Sequence, residues 1–190
     1  MIIGITGTIG VGKSTTAQYF QKHGFVVIDC DALGHEILEK DSEVQQKLIG
    51  KYGQEIIGRN LKIDREKLAE IVFNQQQNID ELNLIIRPKL QQKVFALLAE
   101  YQQKHQQIVI EAAILKELEL EDKVDTIIII KAELDQIYQR LQRKYTQKQI
   151  VNIMNKQLLP KKYDFMINNK GTLADLQKNV DDIIYKINKL

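Results

Sequence analysis

Eight residues near the start of the chain, Gly7-Thr8-Ile9-Gly10-Val11-Gly12-Lys13-Ser14, constrain it more than any other stretch. They follow the apolar run Ile2-Ile3-Gly4-Ile5 and precede Thr15-Thr16-Ala17-Gln18-Tyr19-Phe20, so the order strand, glycine-rich loop, helix is expected. GxxxxGK[ST] in that setting is a phosphate-binding loop. Glycines let backbone N–H groups turn inward around phosphate oxygens without a Cβ clash. The helix behind them points the positive end of its dipole at the same anion. The cradle would comprise the amides of Gly10, Val11, Gly12, Lys13, Ser14 and Thr15. Lys13 reaches the outer phosphates of a nucleotide, and the Ser14 hydroxyl helps hold Mg²⁺. The bland alternative, a glycine-rich turn with an exposed lysine, leaves the strand and helix flanks without a reason.

The remainder of the chain reads as strands alternating with helices. After a helix from Lys13 to about His23, Phe25-Val26-Val27-Ile28 is a short β-branched run of the kind covered on both faces, and the strand is expected to end at Asp29-Cys30-Asp31. Ile108–Glu111, 124–130 and Phe165-Met166-Ile167 supply further strands, and Leu173 to about Ile187 a last amphipathic helix with Thr172 as its cap. Helices are expected over 133–143 and 146–158. The fold class is α/β, a parallel five-stranded sheet with helices on both faces, and ligands in such sheets sit at the carboxyl ends of the strands.

From Ala32 to about Lys104 the pattern is helical, with breaks near Gly50 to Gly53, at Gly58-Arg59-Asn60 and at Arg87-Pro88. Asn60 to Asp64 reads as a short extended turn before a helix from Arg65 to Phe73, capped by Asp64. About seventy helical residues between two core strands are an insertion, because a crossover needs only a dozen or so. The expected organisation is therefore a nucleotide-binding core over 1–31 and 105–190, with 32–104 as a helical subdomain for a second substrate.

Two carboxylates stand at the end of the second strand. In extended backbone Asp29 and Asp31 point to the same side, toward the nucleotide cleft. Phosphoryl transfer needs a carboxylate to accept or orient the attacking hydroxyl proton and acidic groups near Mg²⁺, which makes Asp31 the candidate base and Asp29, with Ser14, the candidate metal group. Against this stands a capping role for Asp31 on a helix over 32–39. His35 lies one helical turn beyond Asp31 and is a candidate substrate contact. His23 and His105 carry no signal, and the glutamine patches at Gln75 to Gln77 and Gln102 to Gln107 read as solvated helix ends or loops. Asp31-Ala32-Leu33-Gly34 also matches the DxxG of a GTPase switch, but no Asn/Thr-Lys-x-Asp guanine motif accompanies it.

Composition narrows the setting. Lys and Arg number 27 against 25 Asp and Glu, a net charge of +2, so any anion site must be local and no nucleic-acid partner is implied. The single cysteine, Cys30, forms no internal disulfide and suits a buried place in a reducing compartment. The first residues lack a basic segment, and the longest aliphatic run, Ile127 to Ile130, is too short to cross a bilayer. A cytoplasmic location and no membrane partner are expected.

Taken jointly, Ile5-Thr6-Gly7-x-Ile9-Gly10-x-Gly12-Lys13-Ser14-Thr15 and Ile28-Asp29-x-Asp31-x-x-x-His35-Glu36-Ile37-Leu38 resemble the dephospho-CoA kinase family. Tyr52-Gly53, Ile63-Asp64-Arg65-x-x-Leu68-Ala69 to Val72-Phe73, and Glu111 to Glu117 extend the likeness. The resemblance implies a P-loop kinase fold with a helical CoA domain at 32–104 and a lid at about 138–160. It also implies transfer of the ATP γ-phosphate to the ribose 3′-hydroxyl of dephospho-CoA. Catalytic residues would be Lys13, Asp31 and Arg140, with Asp31, His35 and Arg65 on the substrate and Mg²⁺ as cofactor. The chain departs from the family pattern in three places. Arg87 stands before the proline where the family has His, Lys144 occupies the place of the family's second lid arginine with Arg143 one residue earlier, and the segment 157–164 is shortened. Two other readings remain: a kinase for another nucleotide or small hydroxylated acceptor, and a nucleotide-binding protein with weakened catalysis.

Overall fold

Short runs rich in Ile and Val form five strands, β1 (Ile2–Thr6), β2 (Val26–Asp29), β3 (Ile108–Glu111), β4 (Thr126–Lys131) and β5 (Phe165–Asn168). In this computed structural model, which describes residues 1–59, 62–73 and 76–189 with the side chains of Phe73 and Gln76 excepted, they form one sheet. The order is β2-β3-β1-β4-β5, and every pairing is parallel. β1 and β3 are buried along their whole length, which is why they read as unbroken apolar runs. Register sets their carboxyl ends level: Ile5 and Asp29 are both partners of Glu111.

The chain divides into two compact units, one of Met1–Asp29 with Leu97–Leu190, the other Cys30–Ala96. In the first, α1 (Lys13–Lys22) and α8 (Leu173–Ile187) pack on one another and on the core of Ile3, Ile5, Phe20 and Ile128. Leu176, Val180, Ile183, Ile184 and Ile187 recur at helical spacing and give α8 its buried stripe. Thr172 caps that helix and Asp175 returns the bond to the Thr172 N–H, a complete capping box. α6 (Leu134–Leu141) and α7 (Gln147–Lys156) are amphipathic, and each sends one fully buried isoleucine, Ile137 and Ile150, into the same core. Thr146 and Gln149 form the capping box that starts α7. Among the described residues no helix is long and apolar enough to cross a membrane.

The second unit holds α2 (Cys30–Lys40), α3 (Ser42–Tyr52), a 3-10 turn at Gln54–Ile56, α4 (Arg65–Phe73) and most of α5 (Gln76–Gln103). Asp41 caps α3, and Asp64 accepts from the N–H groups of Glu66 and Lys67 to open α4, as its position in the sequence predicts. Ile57 and Ile63 form an antiparallel bridge before α4; Asn60 and Leu61 between them, and Gln75 of the glutamine patch, lie outside the described residues.

One expected break is corrected. Arg87-Pro88 does not end a helix, because α5 runs straight through it. Proline's fixed φ suits a helix, and its cost is the donor lost to the Leu84 carbonyl. Pro88 and Leu84 both lie on the exposed side, Leu84 at 75 % exposure, so the carbonyl that loses its partner faces solvent rather than the core. The break expected near Gly50 to Gly53 falls at Gly53: α3 runs through Gly50 to Tyr52 and stops at Gly53, whose φ of 82° no helix accepts.

Candidate active site

The loop between β1 and α1 is shaped by backbone conformations that only glycine adopts without strain. Gly10 has φ 73° and Gly12 φ 102°. Space demands glycine as well: a Cβ at Gly10 would stand 2.8 Å from Leu141, and one at Gly12 would collide with the Asn169 amide nitrogen. Among the described residues, no backbone acceptor holds the N–H of Gly10, Val11 or Gly12, so these donors remain for a ligand. The Gly12 carbonyl accepts from the Thr16 N–H at 3.0 Å, which starts α1 and aims its dipole at the loop. Lys13 is 7 % exposed, and its Nζ donates to the Thr8 carbonyl at 3.2 Å, so the ammonium lies along the loop.

Ser14 donates from Oγ to Glu111 Oε1 at 2.7 Å. Glu111 is 4 % exposed at the end of β3, and Asp29 is its register partner on β2, so both side chains leave the sheet on the same side. Sequence reading nominated Ser14 and Asp29 and missed Glu111 between them. Its signal was the same one that found Asp29, an acid closing an apolar strand. The set is oxygen only. Among the described residues no three His, Cys, Asp or Glu side chains gather to cage an ion. That combination fits Mg²⁺, which keeps waters and takes phosphate oxygens alongside one or two protein groups.

Side chains from the C-terminal half grip the loop from outside. Arg140, in the last turn of α6, donates from Nη1 to the Gly10 carbonyl at 2.9 Å and from Nη2 to the Asn169 carbonyl at 3.4 Å. Asn169, 7 % exposed just beyond β5, donates from Nδ2 to the Val11 carbonyl at 2.7 Å. Gln157 accepts from the Ile9 N–H at 2.9 Å. Of the three lid cations considered from sequence, Arg140 is brought to the loop, while Arg143 and Lys144 are exposed in the turn that follows α6. Asn169 and Gln157 were not nominated, and no local pattern marks them; only the tertiary fold brings them to residues 148 or more positions away.

In the second unit, Asp31 sits differently from its expectation. β2 stops at Asp29 and α2 begins at Cys30, so Asp31 lies in the first turn of a helix. It neither alternates with Asp29 along extended backbone nor precedes the helix as a cap. What survives is the helical relation: Asp31 and His35 are one turn apart on α2, and both are exposed. His35 Nε2 meets Arg65 Nη2 at 2.9 Å. A guanidinium only donates, so Nε2 is the acceptor and the imidazole carries its proton on Nδ1. Asp31, His35 and Arg65 thus belong to one polar surface of this unit.

The helices around that surface are tied by ion pairs: Lys93 to Glu36 at 2.9 Å, Lys89 to Glu43 at 2.7 Å, Lys51 to Glu81 at 2.7 Å and Lys62 to Glu39 at 2.7 Å. Each carboxyl is held below the usual carboxylate range. The chief cause is a hydrogen bond from Lys93 for Glu36, Lys62 for Glu39, Lys51 for Glu81, and Lys47 for Glu43, whose pKa falls to about 2.

A family model described as Dephospho-CoA kinase matches residues 1–175. The Dephospho-CoA kinase of Fusobacterium nucleatum is 35 % identical over 189 residues, covering 95 % of each chain. That of Dehalococcoides mccartyi is 31 % identical, covering 94 % of this chain and 93 % of its own. Among solved structures, Dephospho-CoA kinase from Campylobacter jejuni superposes with a TM-score of 0.72 at 25 % identity, covering 99 % of this chain and 97 % of that one.

Proposed function

The chain belongs to the dephospho-CoA kinase family, and on that premise we propose that it transfers the γ-phosphoryl group of ATP to the ribose 3′-hydroxyl of dephospho-CoA, giving CoA. The observation that carries the reading is the open phosphate loop joined to a buried acid: free amides at Gly10 to Gly12, Lys13 along the rim, and Ser14 bonded to Glu111. Phosphoryl transfer asks little covalent chemistry of a protein, and these parts supply what it does ask, position and countercharge.

The amides from Gly10 to Thr15 hold the phosphates. Lys13 moves from the Thr8 carbonyl to the β/γ oxygens as the triphosphate enters. Ser14, Asp29 and Glu111 would hold Mg²⁺, which would supply countercharge to the phosphates. Asp31 accepts or orients the proton of the 3′-hydroxyl, and Arg65 meets an anionic group of the acceptor with a fork suited to phosphate. Arg140, fixed at the Gly10 carbonyl, stands at the loop where charge develops on the transferring group. The Cys30–Ala96 unit carries the acceptor, and a cytoplasmic location suits a kinase of these reactants.

The experiment is ADP release with ATP and Mg²⁺ against a panel of dephospho-CoA and nucleoside monophosphates. Turnover is expected with dephospho-CoA, and preference for a monophosphate would overturn the acceptor. In the same assay Asp31→Asn should lose about 10²- to 10⁴-fold in kcat; turnover at the rate of the unaltered enzyme would remove Asp31 from its role.

A further inference from the structure

Three consecutive residues of the phosphate loop are each held by one side chain from a different C-terminal element. Asn169 and Arg140 take the carbonyls of Val11 and Gly10. Gln157 alone takes an amide, the N–H of Ile9, through Oε1 at 2.9 Å. The next three amides have no backbone acceptor among the described residues. A neutral acceptor is thus set on the donor at the edge of the cradle, beside the donors left for phosphate.

The position of Gln157 is itself determined from both sides. Its N–H closes α7 on the Met154 carbonyl at 3.2 Å, and its φ of −87° and ψ of 117° turn the chain out of the helix. The following N–H, of Leu158, donates to Glu117 Oε1 at 3.3 Å. The main chain is therefore pinned where α7 ends, and the side-chain amide spans from there to the loop. A glutamine at a helix end ordinarily turns to water; this one, half-buried, links α7 to the phosphate loop instead.

We infer that Gln157 is a positioning residue for the triphosphate: its amide orients the Thr8–Ile9 peptide, couples α7 to the phosphate loop, and lies at the edge of the phosphate cradle. The inference rests on the loop being a nucleotide site, as proposed above. Neutrality matters at that point. A carboxylate of the same length would still accept from Ile9 but would set a negative charge against the triphosphate.

Two variants separate these effects. Gln157→Met keeps the length and loses the acceptor; Gln157→Glu keeps the acceptor and adds the charge. Binding of a non-hydrolysable ATP analogue with Mg²⁺, read by calorimetry, should weaken about three- to tenfold in Gln157→Met, the scale of one hydrogen bond. In Gln157→Glu it should weaken about tenfold or more at low salt, with the gap to the unaltered protein narrowing as KCl is added. KM for dephospho-CoA should stay within about twofold, since α7 and the loop act on the nucleotide. A merely structural role would move both substrates' constants together with the melting temperature, and that result overturns the inference. So does a Gln157→Glu protein that binds the analogue as the unaltered protein does. Because that variant preserves the Ile9 bond, it tests the inference even if Gln157→Met fails to fold. An unaltered protein that binds no analogue would instead overturn the nucleotide reading, and this inference with it.

Discussion

The phosphate loop and the polar surface of the helical unit are built from different materials. In the loop, the features that suit a phosphate lie in the backbone: Gly10 and Gly12 in left-handed conformations, open amides, and beside them a Ser14–Glu111 bond to a buried acid. On the helical unit the groups proposed to meet the acceptor are exposed side chains, Asp31, His35 and Arg65, carried on packed helices, with Arg65 and His35 meeting at 2.9 Å. The first arrangement is rigid before any ligand arrives and tolerates no substitution that adds a Cβ. The second offers adaptable groups on a scaffold whose helices are joined by lysine–carboxylate pairs. On the proposed function, the first takes the triphosphate common to such kinases and the second the acceptor that distinguishes one kinase from another.

The contrast is tested first where the effect is largest. Lys13→Ala removes the only buried ammonium among the described residues of the loop and should lower kcat about 10²- to 10³-fold, measured under saturating substrates. Melting temperature is measured alongside, so that a loss of kcat is separated from a loss of fold. Gly12→Ala comes next. It forces a left-handed residue with a Cβ, at about 1–2 kcal/mol, and displaces Asn169, so ATP affinity should fall about tenfold or more while KM for dephospho-CoA holds. On the helical unit the split should reverse. Arg65→Lys loses the fork and its bond to His35, and KM for dephospho-CoA should rise about tenfold with ATP affinity unchanged. If Arg65→Lys weakens ATP and spares the acceptor, the division of labour is wrong.

The smallest effect concerns stability. Glu36, Glu39, Glu43 and Glu81 all have pKa values depressed in the folded protein by lysine partners. A depressed carboxyl contributes stability that is present above its unfolded value, about 4.3, and is lost as pH falls through the folded one, which for Glu43 is about 2. Hydrogen exchange followed downward from pH 5 should therefore show the helices of the Cys30–Ala96 unit losing protection before β1 and β3, whose cohesion is apolar. The pairs are exposed, so each contributes little and the difference should shrink in high salt. Simultaneous loss of protection in both units would erase this part of the contrast.

The same contrast explains what could be read from the sequence. Glycine spacing encodes backbone conformation directly, so Gly7 to Ser14 and the strand before it were legible, as were caps such as Asp64 and Thr172, which act within three residues. The sheet followed from short apolar runs. Asp31 was named for its chemistry but placed on the wrong backbone, because nothing local says whether a chain leaves a strand at Asp29 or two residues later. Pro88 misled for a related reason: the rule that proline ends a helix does not see which face it lies on, and here, within α5, it lies on the solvent side. Glu111, Gln157 and Asn169 reach the site across 97 to 158 residues of sequence, a distance over which no spacing rule operates.

The central claim is that the loop's triphosphate and the helical unit's acceptor meet in one reaction. Its most direct measurement is the product formed from ATP and dephospho-CoA with Mg²⁺, identified by mass and by phosphorus NMR. A gain of one phosphate on the ribose 3′-oxygen, in step with ADP, is the predicted result. Folded protein that binds ATP yet leaves dephospho-CoA unchanged, or phosphorylates it at another oxygen, would contradict it.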